Sequence, residues 1–480
     1  MTLLVRPARL VLAVSGGSDS TGLLIAFADE LRTFPDERVD IVVATIDHGL
    51  RPESAGEADG VCRLCRELGL RHVIRRWDGD KPKSGVSAAA REARYRLLME
   101  IADKVGADAI VTGHTADDQA ETVMMRASRN PSADNRGLSG MAEAVLIDGR
   151  RWLLRPFLST SRDSIRLMLS EKGRGWIDDP SNEDRHYERV RTRQALSGRP
   201  KSAAPSVVAM RDAAERGPEA PVAQARGAVA REGGRPATGQ VAGQQVENAS
   251  GFVGRDAMQR RACLSDAAAD LARRHLTIRH GVLARLDVAG LNTGLDAGIN
   301  ADPQARHYLL SVLAAILGGQ PHLMAAASAA RVSAFVDAGL PGRITAGRVI
   351  FDRRRDGLFV QRENRDLPVL TVAAGETALW DGRYRLCNHG EAAVSVVPGV
   401  VERAVAVAEF PDVPPAIAMR AMAAMPSFAA GAEHMSVKPV LQPFDRFLPQ
   451  FDLKLAGVLA EMIGCDVFTP SPIKLSARKS

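Results

Sequence analysis

Leu12-Ala13-Val14-Ser15-Gly16-Gly17-Ser18-Asp19-Ser20 is the stretch on which the fold turns. A strand-length apolar run, Leu10 to Val14, ends in Ser-Gly-Gly, and apolar residues at helical spacing follow from Thr21 to Leu31. Glycines let the backbone turn tightly and approach a ligand with no Cβ in the way. Ser18 or Ser20 is placed to cap the helix, whose N–H groups and positive dipole end attract an anion. No Lys follows the glycines, so this is not a Walker loop, and the G-x-G-x-x-G spacing of dinucleotide folds is absent. An Asp in an anion cradle repels phosphate unless a divalent cation lies between them, which makes Asp19 a candidate Mg²⁺ contact. The bland alternative is an ordinary strand–turn–helix corner with a serine cap.

Outward from this loop, strand-length runs (Val39 to Ile46, His72 to Trp77, Ala109 to Thr112) alternate with helical patterns over Gly56 to Leu68 and Ser87 to Val105. Such alternation predicts an α/β, Rossmann-like parallel sheet with helices on both faces. Trp152 to Phe157 is expected to add an edge, and Arg162 to Leu169 a helix. Two more stretches fall at strand ends, where open parallel sheets bind ligands. One is Ile46 to Arg51, carrying Asp47 and His48; the other is His114 to Thr122, where Asp117 or Asp118 shares a helix face with Glu121. Carboxylates beside a phosphate loop suit metal binding, or holding an amine and accepting its proton. Taken singly, His114 reads equally as a satisfied strand-end histidine and Asp117 as a helix-start charge. Their recurrence at three strand ends favours a site.

The chain has 480 residues, enough for two to four domains, and its 45% apolar and 25% charged content is that of a globular protein. Sixty-three Lys and Arg against 57 Asp and Glu leave +6, compatible with a polyanionic partner. Five Cys exclude a disulfide-rich secreted scaffold, and no run of 18 apolar residues offers a membrane span. Met1 to Val14 runs directly into the glycine loop with no signal-peptide cleavage pattern, so a cytoplasmic location is expected. Arg185 to Lys201 holds six basic residues and one acidic, Glu188. Ser197 to Ser250 lacks Leu, Ile, Phe, Tyr, Trp and Cys, and reads as a flexible insertion. From Leu340, short β-rich runs (Arg348 to Phe351, Leu358 to Gln361, Val394 to Val397) suggest a small mixed α+β domain, with Leu453 to Ile463 a closing helix. The expected division is 1–195 catalytic, 196–255 linker, 256–340 helical and 341–480 C-terminal.

Ser15 to Ser20 matches the SGGxDS loop of the PP-loop ATP pyrophosphatases. Within that superfamily the chain resembles the tRNA(Ile)-lysidine synthetases. Ile46 to Ser54, Ala89 to Tyr95, Thr112 to Thr122, Gly137 to Met141 and Asp178 to Asn182 follow in the family's order. The tail (Arg362-Glu363, Trp380 to Arg383, Pro443 to Leu448) is similar too, though less distinctively. The resemblance implies that ATP adenylates the first anticodon cytidine of a CAU-anticodon tRNA(Ile), and that free L-lysine then displaces AMP. It implies ATP phosphates on Ser15, Gly16, Gly17, Ser18 and Ser20, with Mg²⁺ on Asp19 and further nucleotide contacts from Asp47 and His48. Asp117, Asp118 and Glu121, in that order, become candidates for amine binding and proton acceptance, and His114 and Arg91 for nucleotide or cytidine contact. Arg189, Arg191 and Arg193 become a tRNA phosphate strip, a solvated basic helix face being the alternative. The family also suggests a homodimer.

Two stretches depart from the family. Arg126 to Arg136 lacks the glycines of an Arg-Gly-Ser-Gly-like loop, and Ser197 to Ser250 replaces a leucine-bearing helical linker. The nearest rival is a tRNA cytidine thiolation enzyme, superficially favoured by Cys62 and Cys65. Those cysteines lie inside the helix after the second strand, whereas the thiolation pair corresponds to Ser87 to Tyr95, which has none. They read as core or helix-face residues.

Overall fold

The computed structural model describes residues 8–34, 39–79, 81–82, 84–129, 139–178, 192, 240–291, 303–428 and 432–473. Two compact units divide the chain: residues 1–145, 151–261 and 470–480, and residues 146–150 with 262–469.

In the first unit, β1 (Ala8–Ala13) is followed by α1 (Ser18–Thr33), β2 (Val39–Asp47), α2 (Ser54–Glu67), β3 (Arg71–Arg76) and α3 (Val86–Val105). Next come β4 (Ala109–Thr112), α4 (Ala116–Arg129), β5 (Ala144–Ile147), β6 (Arg151–Leu154) and α5 (Arg162–Glu171). The parallel order is β6-β4-β1-β2-β3, with Leu10 paired to Ile41 on one side and Ala109 on the other. Val11, Leu12, Val42, Val43 and Ile110 are wholly buried, as continuous β-branched and leucine runs require when both sheet faces are covered. Each such side chain contributes roughly 1.5–3 kcal/mol. From β1 the chain steps to β2 and β3 on one side, then crosses to β4 and β6 on the other. The loops after β1 and β4 therefore diverge, and a crevice opens at their carboxyl ends. Arg151 to Leu154 is a strand as expected but not an edge, since β5 stands next to it in the strand order; Trp152 and Leu153 are wholly buried. Helix α5 packs on α1 at Gly22, where a Cβ would come within 2.3 Å of Ile165 Cγ2.

Helix α6 (Gln240–His275) includes residues 240–250 of the low-hydrophobicity stretch; 197–239 lies outside the described residues. The second unit contains β7 (Leu276–Arg279), β8 (Leu283–Leu286), α7 (Val288–Leu291), α8 (Pro303–Gly318) and α9 (Ala326–Asp337). It continues with β9 (Gly342–Ala346), β10 (Val349–Arg354), β11 (Gly357–Arg362), β12 (Leu370–Val372), β13 (Thr377–Trp380), β14 (Tyr384–Asn388) and β15 (Val394–Pro398). Helices α10 (Arg403–Glu409) and α11 (Pro415–Ala423), strands β16 (Pro426–Phe428) and β17 (Met435–Pro439), and helix α12 (Leu453–Ile463) follow. Strands β7-β8-β11-β10-β9 form an antiparallel sheet, beside three-stranded sheets β12-β15-β16 and β13-β14-β17. The stretch read as purely helical before residue 340 thus contains β7 and β8, four-residue runs around His280-Gly281 too short to show a period. Trp380, Phe359, Phe410 and Leu386 centre the core of this unit. Among the described residues no helix is long and apolar enough to cross a membrane.

Candidate active site

The loop after β1 takes the form its sequence implies, with one correction. Gly16 has φ +90°, open to glycine at no steric cost, and a Cβ there would lie 2.6 Å from Ile177 Cδ1. Neither Ser18 nor Ser20 caps α1; the cap residue is Gly17, in extended backbone and with no side-chain cap bond. Ser20 instead braces the turn: its Oγ accepts from Ser15 N at 3.1 Å and donates to Gly17 O at 3.1 Å. Thr21 Oγ1 donates to Gly16 O at 3.0 Å. The first N–H groups of α1 have no partner within the helix, the arrangement by which helix starts hold anions.

Asp19, in the first turn of α1, meets α4 and α5 through Arg162. Arg162 Nε donates to both Asp19 oxygens, at 2.9 and 3.2 Å, and its Nη2 lies 3.6 Å from Asp118 Oδ1. The Arg162 backbone N–H donates to Asp117 Oδ2 at 2.8 Å. Three carboxylates thus converge on Arg162, two on its guanidinium and one on its backbone N–H. Burial, with the negative charge of Asp118 adding to it, holds the Asp19 carboxyl above its usual range despite Arg162. Such hard, under-neutralised oxygens fit Mg²⁺ or an ammonium ion. Glycine at position 113 allows the approach, since a Cβ there would be 2.7 Å from the Asp19 carbonyl oxygen. Asp118 has a second task. Thr115 N and Oγ1 donate to its Oδ2 at 2.9 and 3.0 Å, and its own N–H reaches back to Thr115 Oγ1, a capping box that starts α4. Glu121 is buried on the same helix.

Opposite these acids stands a basic group. His114, at the end of β4, is pushed down to about 3 by burial and by Arg155, Arg94 and Arg91, so it is neutral at physiological pH. Its Nδ1 shares a hydrogen bond with Thr112 Oγ1 at 2.8 Å. Arg91 stacks on Tyr95, 5.1 Å from the ring centre, and donates to the Tyr95 hydroxyl at 3.2 Å. Burial raises the Tyr95 phenol, but Arg91, Arg155 and Arg94 outweigh it and leave the group below its ordinary value. Arg126, lowered by burial and by Arg155, donates to Gly140 O at 2.8 Å. Gln119 clamps Met141 from both sides, accepting from its N at 2.7 Å and donating to its O at 3.0 Å. His114 senses both groups, Asp118 on one side and the arginines on the other.

Asp47 and His48 lie at the end of β2 but play unequal parts. Asp47 Oδ1 accepts from Gly49 N and Ser54 Oγ, both at 2.7 Å, so its carboxylate organises the turn. These bonds outweigh burial and hold it below its usual range. His48 packs edge-on against Trp77, with Lys81 over the same ring, and among the described residues its buried Nδ1 has no hydrogen-bond partner. Cys65 is wholly buried in α2 and its thiol is pushed up to about 12 by burial, the behaviour of a core residue. Arg189, Arg191 and Arg193, residues 179–182 of the Asp178 motif and residues 130–136 of the divergent loop lie outside the described residues. Sequence reasoning missed Arg162, Arg155, Tyr95 and Trp77. Arg162 carried only the signal of a basic residue at a helix start, and Trp77 read as a strand end.

Known proteins add the family. A family model of the PP-loop domain matches residues 3–199. The tRNA(Ile)-lysidine synthase of Rhizobium meliloti is 36% identical over 98% of this chain and 94% of its own length. That of Mesorhizobium japonicum is 37% identical over 96% and 94%. A solved U34-tRNA thiolase from Methanococcus maripaludis shares 15% identity at a TM-score of 0.36, covering 44% of this chain and 73% of that one, too distant to carry an argument. With acids, arginines and an ATP-type phosphate loop gathered at the β1/β4 crevice, and full-length relatives above the identity at which families are shared, the chain belongs to the tRNA(Ile)-lysidine synthase family.

Proposed function

We propose that the chain ligates free lysine to C2 of the first anticodon cytidine in CAU-anticodon tRNA(Ile), using ATP. The observation that carries this reading is the adjacency of two opposite seats at one crevice: three carboxylates on Arg162, and arginines around His114 and Tyr95. Lysine needs the first and polyanionic ATP and RNA the second. The N–H groups after Gly17 hold ATP phosphates while the cytidine O2 attacks the α-phosphorus and pyrophosphate leaves. Asp19 would hold Mg²⁺, which would supply neutralisation of phosphate charge. The lysine ε-ammonium, protonated in water at neutral pH, docks among Asp117, Asp118 and Glu121 and gives up a proton there before attack on C2 expels AMP. Neutral His114 is positioned to hydrogen-bond the base or the nucleotide without adding charge. Under this reading 1–195 is the catalytic domain, Arg189, Arg191 and Arg193 and the 341–480 domain contact tRNA, and the protein acts in the cytoplasm as a homodimer.

The test is incorporation of labelled lysine into a CAU-anticodon tRNA(Ile) transcript with ATP and Mg²⁺, against a transcript with uridine at the first anticodon position. Incorporation into the cytidine transcript alone, with AMP formed in step, is expected. Equal labelling of both, or sulfur transfer in place of lysine, would overturn the assignment.

A further inference from the structure

Helix α5 turns two arginines toward the start of α1, and they are held differently. Arg162, at its head, is fixed between Asp19 and Asp118, whose side chains are 20% and 11% exposed. Arg166, one helical turn further from α4, donates from Nε to Ser18 Oγ at 3.4 Å, beside the first N–H groups of α1. Its counter-ion is Asp178, reached by Nη2 at 3.1 Å and itself 75% exposed. A pair with so exposed a carboxylate is screened by water and gives way to a multiply charged anion.

The guanidinium is nevertheless held in place. It lies over the Trp176 ring, 5.5 Å from its centre, and the Trp176 indole N–H donates to the same Asp178 oxygen at 3.3 Å. Trp176 packs on Ile25, Ile165 and Leu169, the apolar seam of α1 and α5. The segment bearing it is pinned without help from Arg166. Lys172 pairs with Asp29 at 2.7 Å, Arg174 with Glu67 at 2.9 Å, and Ile177 N donates to Gly16 O at 2.9 Å. A brace at this point is redundant; a forked cation preset beside a phosphate loop has a ligand to hold.

We propose that Arg166 binds the terminal phosphates of ATP and stabilises the pyrophosphate that leaves on adenylation. The proposal rests on the ATP-dependent reading above and adds a residue to it. As the cytidine O2 bonds to the α-phosphorus, the bond from that phosphorus to the bridging oxygen breaks, and its electron pair departs on pyrophosphate. Negative charge grows on the side where Arg166 stands, a turn away from the lysine seat on α4. Two parallel N–H bonds from a guanidinium suit the oxygens of this leaving group, and Asp178 exchanges its share for water.

The experiment uses the full chain with Arg166→Gln and Arg166→Lys. It measures ATP binding by calorimetry with Mg²⁺ and without tRNA, inhibition by pyrophosphate, KM for ATP, tRNA and lysine in lysine incorporation, and thermal melting. Arg166→Gln is expected to weaken ATP binding and pyrophosphate inhibition roughly tenfold each, as loss of one charged hydrogen-bonding group does. KM for lysine and for tRNA and the melting temperature should stay unchanged. Arg166→Lys should recover part of both losses, since it keeps the charge but not the fork. Unchanged ATP and pyrophosphate constants in the Gln variant overturn the proposal. So does a lowered melting temperature with those constants intact, which makes Arg166 a brace, and so does a rise in tRNA KM alone, which makes it an RNA contact. Wild-type protein that binds ATP but incorporates no lysine removes the ligation reading, while the calorimetric comparison still decides Arg166. Wild-type protein that binds no ATP sinks both.

Discussion

Asp19 and Asp381 are both aspartates held by arginine, and their surroundings shift them in opposite directions. Burial is the largest influence on each and raises both. At Asp381 the hydrogen bonds of Arg362 and the charges of Arg383, Arg362 and Arg348 outweigh it, and the carboxyl ends below its usual range. At Asp19 one arginine serves Asp117 and Asp118 as well, and the carboxyl ends above that range. The lesson lies in the ratio of charges. A network that only holds the fold is braced from within, Arg348, Arg362 and Arg383 each also donating to a backbone carbonyl, of Gly318, Glu363 and Ala424. The crevice leaves negative charge under-neutralised, a deficit suited to a cation brought by substrate.

The sharpest way to break this comparison is Asp381→Asn. It strands Arg362 and Arg383 in the core without a counter-charge, and a loss of about 3–5 kcal/mol in unfolding free energy is expected by urea denaturation. A loss below 1 kcal/mol would mean that the carbonyl partners alone sustain the arginines. Asp19→Asn should do the reverse, leaving stability nearly intact while ATP-dependent AMP formation falls about 10²–10³-fold, the usual effect of removing one charge-organising group from a reaction centre. Unaltered turnover would remove Asp19 from the chemistry.

A smaller effect separates the two by pH. The depressed Asp381 carboxyl contributes stability that is present above its unfolded value of 3.8 and lost as pH falls through the lower folded value. The elevated Asp19 carboxyl contributes fully below 3.8, and that contribution is lost as pH rises through its higher folded value. Urea denaturation across a pH series should therefore show Asp19→Asn gaining on wild type from acid towards neutral pH. Asp381→Asn should lose most of its deficit only at strongly acid pH. Parallel curves for the two variants would mean that charge ratio does not distinguish the sites.

The phosphate loop was legible because its determinants are contiguous: an apolar strand, two glycines and a helix start lie within nine residues, and only local sterics shape them. The strand ends at Asp47 and His114 were legible for the same reason. The cap was misread because Gly17 adopts extended backbone and carries no side chain, while the hydroxyl of Ser20 is drawn back to Ser15 N. Asp47 was read as a ligand contact, and what spacing did not show is that its Oδ1 is also engaged by Gly49 and Ser54 in a local Asx-type turn. Arg162 carried no signal beyond a basic residue at a helix start, standing 143 residues from Asp19 at the head of an ordinary amphipathic helix.

By itself the sequence determined the α/β class, the crevice-forming order of strand, loop and helix, and the family, since each rests on short-range pattern or ordered motifs. Tertiary structure alone decided which charges share a partner. Pairing energy depends on distance and burial across elements far apart in the chain, and neither quantity is written in the spacing of residues along it. That is why three carboxylates on Arg162 and three arginines on Asp381 became visible only in the folded chain.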